Sequence, residues 1–160
     1  MLLVLKNLLF TLLVPGTAAV CVPLLLAGDR PPALGLLFFL GLALVVTGSA
    51  IYARCVWDFA VFGRGTPAPI DPPKKLVVRG LYRYTRNPIY MGVVTVLLGW
   101  TFMFLQMTLL IYTLCFGIGF HLLVILYEEP RLTEQFGAEY RDYCTKVGRW
   151  LPRFRHQRTA

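Results

Sequence analysis

Two short polar segments, each at the end of an apolar stretch, contain the side chains most able to do chemistry. The first is Arg86-Asn87-Pro88, and the second is Glu128-Glu129, further along the chain. Carboxylates beside an apolar stretch are costly unless a positive group offsets them. The two segments therefore indicate either a ligand that carries charges of both signs or a set of ion pairs closed within the protein.

The local sequence gives the two segments opposite charge preferences. Asn87 is a favourable N-cap and Pro88 suits the first helical position, so a helix is predicted to begin there. Free backbone N–H groups at that helix start, with Arg86 just before it, favour an anion such as a carboxylate. Glu128 and Glu129 carry the wrong charge for the end of a helix, so they need nearby arginines or a cationic ligand.

Composition places both segments in a membrane protein. The chain has 160 residues, of which 57% are hydrophobic, and its mean hydropathy is +0.63. These values exceed those of a soluble domain of this length. The sequence predicts a single all-α integral membrane domain over residues 1–160, with four spans of about twenty residues each. The predicted spans are 8–27, 33–53, 89–105 and 108–127.

The last two predicted spans position the polar segments. A very short turn near Gln106 joins these spans, so they form an antiparallel hairpin whose ends meet on one side of the membrane. Asn87, Tyr90, Glu128 and Glu129 are therefore predicted to lie close together. A loop, 54–88, precedes the hairpin, and a tail, 128–160, follows it.

The tail contains a predicted amphipathic helix from Arg131 to Val147. Asp142 and Lys146 are spaced as an i,i+4 ion pair on its polar side. The apolar face would lie along the membrane surface and cover the end of the hairpin. The residues spaced along that face are Leu132, Phe136, Tyr140, Tyr143 and Val147.

Basic residues indicate the orientation and the partners. Of the sixteen, only Arg30 lies on the side opposite the termini and the loop, which places both termini and the polar segments in the cytoplasm. A bacterial inner membrane is the expected location. Anionic lipid headgroups explain the net charge of +8 better than nucleic acid, which is not expected as a partner. The four cysteines lack metal-ligand spacing, so no metal site is predicted.

Several alternatives stay open from the residues alone. The first apolar stretch contains Pro15 and Pro23 and forms a kinked span or, because Lys6 precedes it, a cleaved signal sequence. His121 lies in the fourth span on nearly the same helical face as Glu128 and either lines a ligand pocket or hydrogen-bonds to a neighbouring helix. The same pair would suit a proton or solute transporter. A non-enzymatic, lipid-binding scaffold is a further alternative, and no pattern indicates the oligomeric state.

One common ligand combines a carboxylate, an ammonium group and a second positive centre. This ligand is S-adenosylmethionine, whose sulfonium carries a reactive methyl group. The first polar segment favours an anion and the second favours a cation, so they fit the carboxylate and the ammonium group of its amino-acid part. The chain has no βαβ pattern with a GxGxxG turn, which excludes a Rossmann-type methyltransferase.

At these segments the sequence resembles a known family. The stretch from Tyr82 to Gly92, with Tyr127-Glu128-Glu129-Pro130, resembles the cofactor motifs of integral-membrane methyltransferases. That group includes isoprenylcysteine carboxyl methyltransferase and phosphatidylethanolamine N-methyltransferase. The resemblance covers residues 75 to 153. The residues similar to the isoprenylcysteine branch are Phe136-Gly137-Ala138-Glu139-Tyr140, Tyr143, Arg149 and Pro152.

The resemblance implies S-adenosylmethionine as cofactor and a lipophilic acceptor from the bilayer, methylated on a carboxylate, a thiol or a phospholipid amine. Glu129 and Arg149 are the candidate catalytic residues, since a glutamate can accept a proton from an amine and Arg149 can orient an anionic acceptor. The isoprenylcysteine branch usually has His where this chain has Asn87, which does not titrate near neutral pH. The candidate cofactor-binding residues are Arg79, Gly80, Tyr82, Arg86, Asn87, Pro88, Tyr90, Gly92, Glu128 and Glu129, to which His121 is added from its place in the fourth span.

Overall fold

The computed structural model describes residues 11–63 and 75–153, and within these ranges the chain is helical with no strand. A 3-10 turn, Gly80–Arg83, precedes the third helix. Some helices combine an α-helical part with a directly adjoining π-helical part, which is counted here with its helix. The helices are α1 (Leu12–Cys21 π-helical, Val22–Ala27 α-helical), α2 (Leu36–Asp58, then π-helical Phe59–Gly63), α3 (Pro88–Phe104), α4 (Met107–Leu123, then π-helical Val124–Glu128) and α5 (Glu129–Lys146).

The prediction of an all-helical protein is confirmed, and two of the described helical stretches are long and apolar enough to cross a membrane. These are Leu36–Phe62 and the continuous stretch Met107–Lys146, whose apolar part ends at Tyr127. Two further apolar helices, Leu13–Ala27 and Pro88–Phe104, are shorter. The four predicted spans thus correspond to four apolar helices, of which two have the length and composition of a span.

The second helix continues past the predicted end of its span at Ala53. The prediction placed Arg54 and Asp58 in a loop, whereas the structure places both in α2, one turn apart, with 3.3 Å between Arg54 Nη2 and Asp58 Oδ1. The ion pair gives the buried Asp58 carboxylate a positive partner, while Arg54 itself is exposed. Residues 64–74 of the predicted loop lie outside the described residues.

Backbone contact joins α2 to α3. A Cβ added at Gly48 would lie 2.5 Å from the carbonyl oxygen of Gly92, and one added at Gly41 would lie 2.6 Å from that of Gly99. Atoms at such distances overlap, so only glycine permits this approach. Helix α3 is therefore held closely against α2 from Gly92, near its start, to Gly99.

A turn of two residues joins α3 to α4, as the sequence predicts. Leu105 has φ 49°, the one positive φ among the described non-glycine residues. Gln106 is buried, and its Nε2 donates a hydrogen bond to the Ala27 carbonyl oxygen over 3.1 Å. The tip of the hairpin is thereby fixed to the end of α1.

Proline was expected to kink the first span. The structure has a π-helical stretch, Leu12–Cys21, around Pro15 in α1. Pro23 has no backbone N–H, so it cannot be the hydrogen-bond partner of a carbonyl one turn earlier. The carbonyl oxygens of Ala18 and Ala19, which lie at that distance, accept hydrogen bonds from other helices, Ala18 from the Tyr112 hydroxyl over 2.9 Å and Ala19 from Trp100 Nε1 over 2.8 Å. Neighbouring helices thus satisfy the freed backbone groups.

The last helix, α5, follows α4 directly and covers one end of the hairpin. Asp142 and Lys146 form the ion pair that the sequence predicts. Gly137 has φ 54° and ψ −119°, so the helix is interrupted there. The buried apolar cluster under the helix contains Tyr140, Tyr143 and Val147, packed against Leu76, Leu132, Phe136 and Cys144.

Candidate functional site

The two polar segments meet at one end of the hairpin, joined by ion pairs to Glu129. Arg149 binds Glu129 through two parallel hydrogen bonds, Nε to Oε1 over 2.7 Å and Nη2 to Oε2 over 2.8 Å. Arg86 Nη1 lies 3.1 Å from Glu129 Oε1 on the other side. A carboxylate held between two guanidinium groups is strongly oriented, because a bidentate pair fixes both the distance and the plane. The side chain at position 129 is therefore a structural centre of the site.

The chain after α5 passes beside the start of α3 and ties the tail to the hairpin. The backbone N–H of Arg86 donates to the Gly148 carbonyl oxygen over 2.9 Å. The Arg149 carbonyl oxygen accepts from Thr85 Oγ1 over 3.0 Å and from Asn87 Nδ2 over 3.1 Å. Asn87 does occupy the N-cap position, but its side chain makes no capping hydrogen bond. Its side-chain amide instead hydrogen-bonds to the backbone of Arg149, the residue that binds Glu129.

The neighbouring carboxylate, Glu128, has a different environment. The Tyr90 hydroxyl donates a hydrogen bond to Glu128 Oε1. Burial raises the pKa of Glu128, an effect to which the charge of Glu129 adds and which the Tyr90 hydrogen bond opposes. Burial acts on Glu129 in the same sense, but the hydrogen bond from Arg149 and the charges of Arg86 and Arg149 outweigh it and lower the pKa of Glu129. Two adjacent carboxyl groups thus have pKa values shifted in opposite directions.

Both glutamates line one cavity at the covered end of the hairpin. The enclosed volume is about 90 Å³. It lies between the start of α3, the end of α4 and the underside of α5. The residues that line it are Phe59, Leu76, Val77, Tyr82, Arg86, Asn87, Ile89, Tyr90, Val124, Glu128, Glu129, Leu132, Tyr140 and Tyr143. The structure therefore brings six of the predicted site residues, from Tyr82 to Glu129, to one cavity.

Two buried polar atoms of the cavity wall lack a hydrogen-bond partner among the described residues. They are the Tyr82 hydroxyl oxygen and Arg86 Nε. The polar neighbour of the Tyr82 hydroxyl is the Cys55 thiol, which is a weak hydrogen-bonding group. Buried donors without partners are costly, so such atoms on a cavity wall mark positions where a polar ligand is expected to bind.

Besides His121, four predicted cofactor residues lie outside the lining of this cavity. The guanidinium of Arg79 stacks on the Phe62 ring, 4.9 Å from its centroid. Gly80 has φ 56° and begins the 3-10 turn. Pro88 is buried as the first residue of α3, and Gly92 lies in the close contact with α2. These residues shape the backbone around the cavity, and their role in binding a cofactor stays a prediction.

His121 faces a separate groove between α3 and α4. Its Nδ1 accepts a hydrogen bond of 3.0 Å from Trp150 Nε1. The π-helical stretch Val124–Glu128 lies between His121 and Glu128, and the wider π-helical turn changes the relative direction of the two side chains. His121 thus lines a different space from Glu128 and hydrogen-bonds to a neighbouring segment, and its role in binding a cofactor stays a prediction.

Sequence reasoning missed several contacts made by the tail. Tyr140 and Tyr143 were predicted as part of an apolar face and were among the residues of the family resemblance, but neither was predicted as a site residue, and both line the cavity. Arg86 Nη1 lies 3.4 Å from the Tyr140 hydroxyl and 2.7 Å from Cys144 Sγ. The spacing of the tail residues indicated a shared face, but nothing in the spacing identified Arg86 as their partner.

Comparison with known proteins gives one match. A family model described as phospholipid methyltransferase matches residues 36–139, which include α2, the hairpin and the first part of α5. Neither the curated proteins nor the solved structures include a match to the chain. The matched range contains Arg86, Asn87, Glu128 and Glu129, whereas α1 and Arg149 lie outside it.

Proposed function

Because the chain belongs to the phospholipid methyltransferase family, we propose that it transfers a methyl group from S-adenosylmethionine to a lipophilic acceptor within the membrane. The family supports a methyltransferase that acts on a lipid. The assignment of the cofactor rests on the cavity at the covered end of the hairpin. There two neighbouring carboxylates lie close to arginines and to a helix start. Its charge pattern suits a ligand with an amino-acid end.

The residues of the cavity fit this cofactor. Arg86 Nε is buried and without a hydrogen-bond partner among the described residues, so it has a donor free for a carboxylate, whereas the Tyr82 hydroxyl has the weakly bonding Cys55 thiol beside it. Glu128 suits an ammonium group or a sulfonium, because both are positive, whereas the charge of Glu129 is already offset by Arg86 and Arg149. The enclosed volume of about 90 Å³ is small beside the roughly 300–1,000 Å³ of ligand pockets in general. We assign this enclosed space to the amino-acid end, with the nucleoside extending out of it.

When bound, S-adenosylmethionine supplies an electrophilic methyl group on a sulfonium sulfur. The protein then needs to align an acceptor with that methyl group and to keep water out, since the acceptor itself is the nucleophile. Tyr140 and Tyr143 cover the cavity from the side of α5. Arg149 keeps Glu129 in place and is not free to orient an acceptor while both of its hydrogen bonds to Glu129 are made.

Of the two carboxylates, Glu128 is the one we assign to proton transfer. Glu129 is held by two arginines that lower its pKa, which makes it a poor proton acceptor. The pKa of Glu128 is raised by burial, so its carboxylate accepts a proton more readily. An amine or thiol acceptor would lose its proton to Glu128, whereas a carboxylate acceptor would need no base. Asn87 takes no part in proton transfer.

The remaining features of the proposal concern the membrane. All four apolar helices cross or enter the bilayer, with both termini and the cavity on the cytoplasmic side of a bacterial inner membrane. The distribution of the basic residues supports this orientation. The helix α5 lies at the membrane surface, with its buried tyrosines over the cavity and its polar side in water.

Calorimetric titration of the purified protein in detergent with S-adenosylmethionine and S-adenosylhomocysteine tests the proposal. We expect the wild type to bind both and Glu129→Gln to bind at least about tenfold more weakly, since the ion pairs with Arg86 and Arg149 that hold the cavity wall are lost. Glu134→Gln, an exposed change on the same helix, is the matched control and should bind as the wild type does. A folded wild-type protein that binds neither compound would refute the enzyme proposal.

A further inference from the structure

The last helix, α5, is kinked at Gly137, and the residues after the kink lie over the candidate cofactor cavity. Gly137 has φ 54° and ψ −119°, a combination that only glycine adopts easily. We refer to residues 138–150 as the lid, because Tyr140 and Tyr143 within this range are buried and line the cavity. The direction of the backbone at one glycine therefore decides whether the cavity is covered.

Gly137 differs from the glycines between α2 and α3, which are needed for space. A Cβ at Gly48 would overlap the Gly92 carbonyl oxygen, whereas one at Gly137 would meet no described atom within 4 Å. Since a side chain has room at position 137, the backbone conformation is what requires glycine there. Most other residues favour a continuous helix, which would carry the lid off its present contacts.

Hydrogen bonds join the lid to the start of α3 and to the turn before it. The Tyr143 hydroxyl donates to the Tyr82 carbonyl oxygen over 2.7 Å. Arg86 Nη1 donates to Cys144 Sγ over 2.7 Å, and the Arg86 backbone N–H donates to the Gly148 carbonyl oxygen over 2.9 Å. These bonds connect different elements, so they can break while the hydrogen bonds inside each helix stay intact. The lid can therefore leave the hairpin as a unit.

A ligand in the cavity and the closed lid stabilise each other. The lid supplies Tyr140 and Tyr143 to the cavity wall, and it supplies Arg149, which binds Glu129 through two hydrogen bonds. A ligand that contacts this wall binds the closed conformation more tightly than the open one, so it shifts the population toward closure. Opening removes the same wall and gives the ligand a route in and out.

We propose that Gly137 is the hinge of the lid, about which residues 138–150 open to exchange S-adenosylmethionine for the demethylated product and close over the bound cofactor. The inference rests on the proposed methyltransferase function. Closure brings Arg149 to Glu129 and places the two tyrosines over the cavity. Opening separates Cys144 from Arg86, which makes the thiol of this residue a reporter of the lid.

The reactivity of Cys144 tests the link between the lid and the cofactor. Its thiol contacts Arg86 in the closed lid and is partly buried. N-ethylmaleimide is added to the purified protein in detergent, and mass spectrometry gives the labelling rate of each cysteine. We expect saturating S-adenosylhomocysteine to slow labelling of Cys144 at least about tenfold and to leave the rate of Cys21, an exposed residue of α1, unchanged. An unchanged rate at Cys144 in protein that binds the compound overturns the proposal.

Gly137→Ala tests the hinge without any ligand. Alanine disfavours a φ of 54°, so the closed lid is destabilised and labelling of Cys144 should become about tenfold faster. Ala138→Gly, an exposed change at the next residue, is the matched control and should label at the wild-type rate. Cys55 is buried in α2, so its labelling should stay slow in both variants. Equal acceleration at Cys55 and Cys144 would show that the glycine supports the whole fold, which overturns the hinge.

Tyr143→Phe releases the lid at its other end and keeps the ring that packs over the cavity. It removes the hydrogen bond to the Tyr82 carbonyl oxygen, so labelling of Cys144 should become about two- to tenfold faster, as expected for one hydrogen bond. An unchanged rate in this variant contradicts the proposal even where Gly137→Ala fails to fold.

Calorimetry with S-adenosylhomocysteine on the same samples separates the lid from the enzyme. Folded wild-type protein that binds none of the compound, while Gly137→Ala still accelerates labelling of Cys144, refutes the methyltransferase and retains the moving lid. Protein that binds the compound, with the same labelling of Cys144 under all conditions and in all variants, refutes the lid alone.

Discussion

The third helix meets its two neighbours in different ways. Toward α2, the glycine pairs bring the backbones into direct contact. Toward α4, aromatic rings lie between the helices, as with Tyr90 and Phe120, whose centroids are 4.6 Å apart. The polar cavity and the groove beside His121 both border residues of this second contact.

The difference suggests a division of work between the two interfaces. Direct backbone packing leaves little room for adjustment, and it fixes the helix start that carries Arg86 and Asn87. Aromatic side chains hold helices further apart and leave spaces that ligands can fill. The tail closes the second interface through Arg149, which lies outside the close helix pair. Substitutions at the first interface should therefore change stability, and substitutions at the second should change binding.

The largest effect is expected at the glycine contact. Gly48→Val places a side chain where a Cβ alone would lie 2.5 Å from the Gly92 carbonyl oxygen, so α2 and α3 must separate. Overpacking of this kind costs about 1–3 kcal/mol and at times more. Thermal unfolding in detergent, followed by fluorescence, measures the loss.

Gly117→Val is the matched control for that change. A Cβ at Gly117, which also lies mid-helix, meets no atom within 4 Å, and the residue borders the groove between α3 and α4. A drop in melting temperature as large as that of Gly48→Val would show that the two interfaces do not differ in rigidity.

A smaller effect is expected where the tail closes the second interface. Arg149→Ala removes both hydrogen bonds to Glu129. Charged hydrogen bonds contribute about 1.5–3 kcal/mol, less where solvent reaches them, as it does at this partly exposed arginine. Arg149→Lys keeps the charge but loses the paired geometry, so its binding of S-adenosylhomocysteine should lie between those of wild type and Arg149→Ala. Equal binding by Lys and Ala variants would show that the charge contributes nothing.

The smallest effect concerns acid pH. The pKa of Glu129 is lowered in the folded protein, so its ion pairs stabilise the fold above the usual glutamate pKa of about 4.3, and this stabilisation is lost as the pH falls through the lowered value. The difference in melting temperature between wild type and Glu129→Gln should therefore be present at neutral pH and shrink toward about pH 3. A difference that stays constant over this range would mean that Glu129 is not held as an ion pair.

The sequence predicted those parts of the site that depend on local spacing. A short turn at Gln106 and a helix start at Pro88 were sufficient to bring Tyr90 close to Glu128 and Glu129. The path of the tail was not predictable, because the contacts of Asn87 with the Arg149 backbone join residues far apart in sequence. The π-helical stretches were missed as well, since apolar composition is the same for π-helical and α-helical turns.

The left-handed conformation of Leu105 indicates a position where a substitution should stabilise the protein. Leucine in this conformation costs about 1–2 kcal/mol, and the side chain is 54% exposed, so it gains little by burial. Asparagine or glycine would accept the same backbone more easily. A helix of the length of α3, roughly 25 Å at 1.5 Å per residue, separates this tip from Arg86. Purification for crystallisation or cryo-microscopy could therefore be improved at the hairpin tip while the ligand end keeps its native residues.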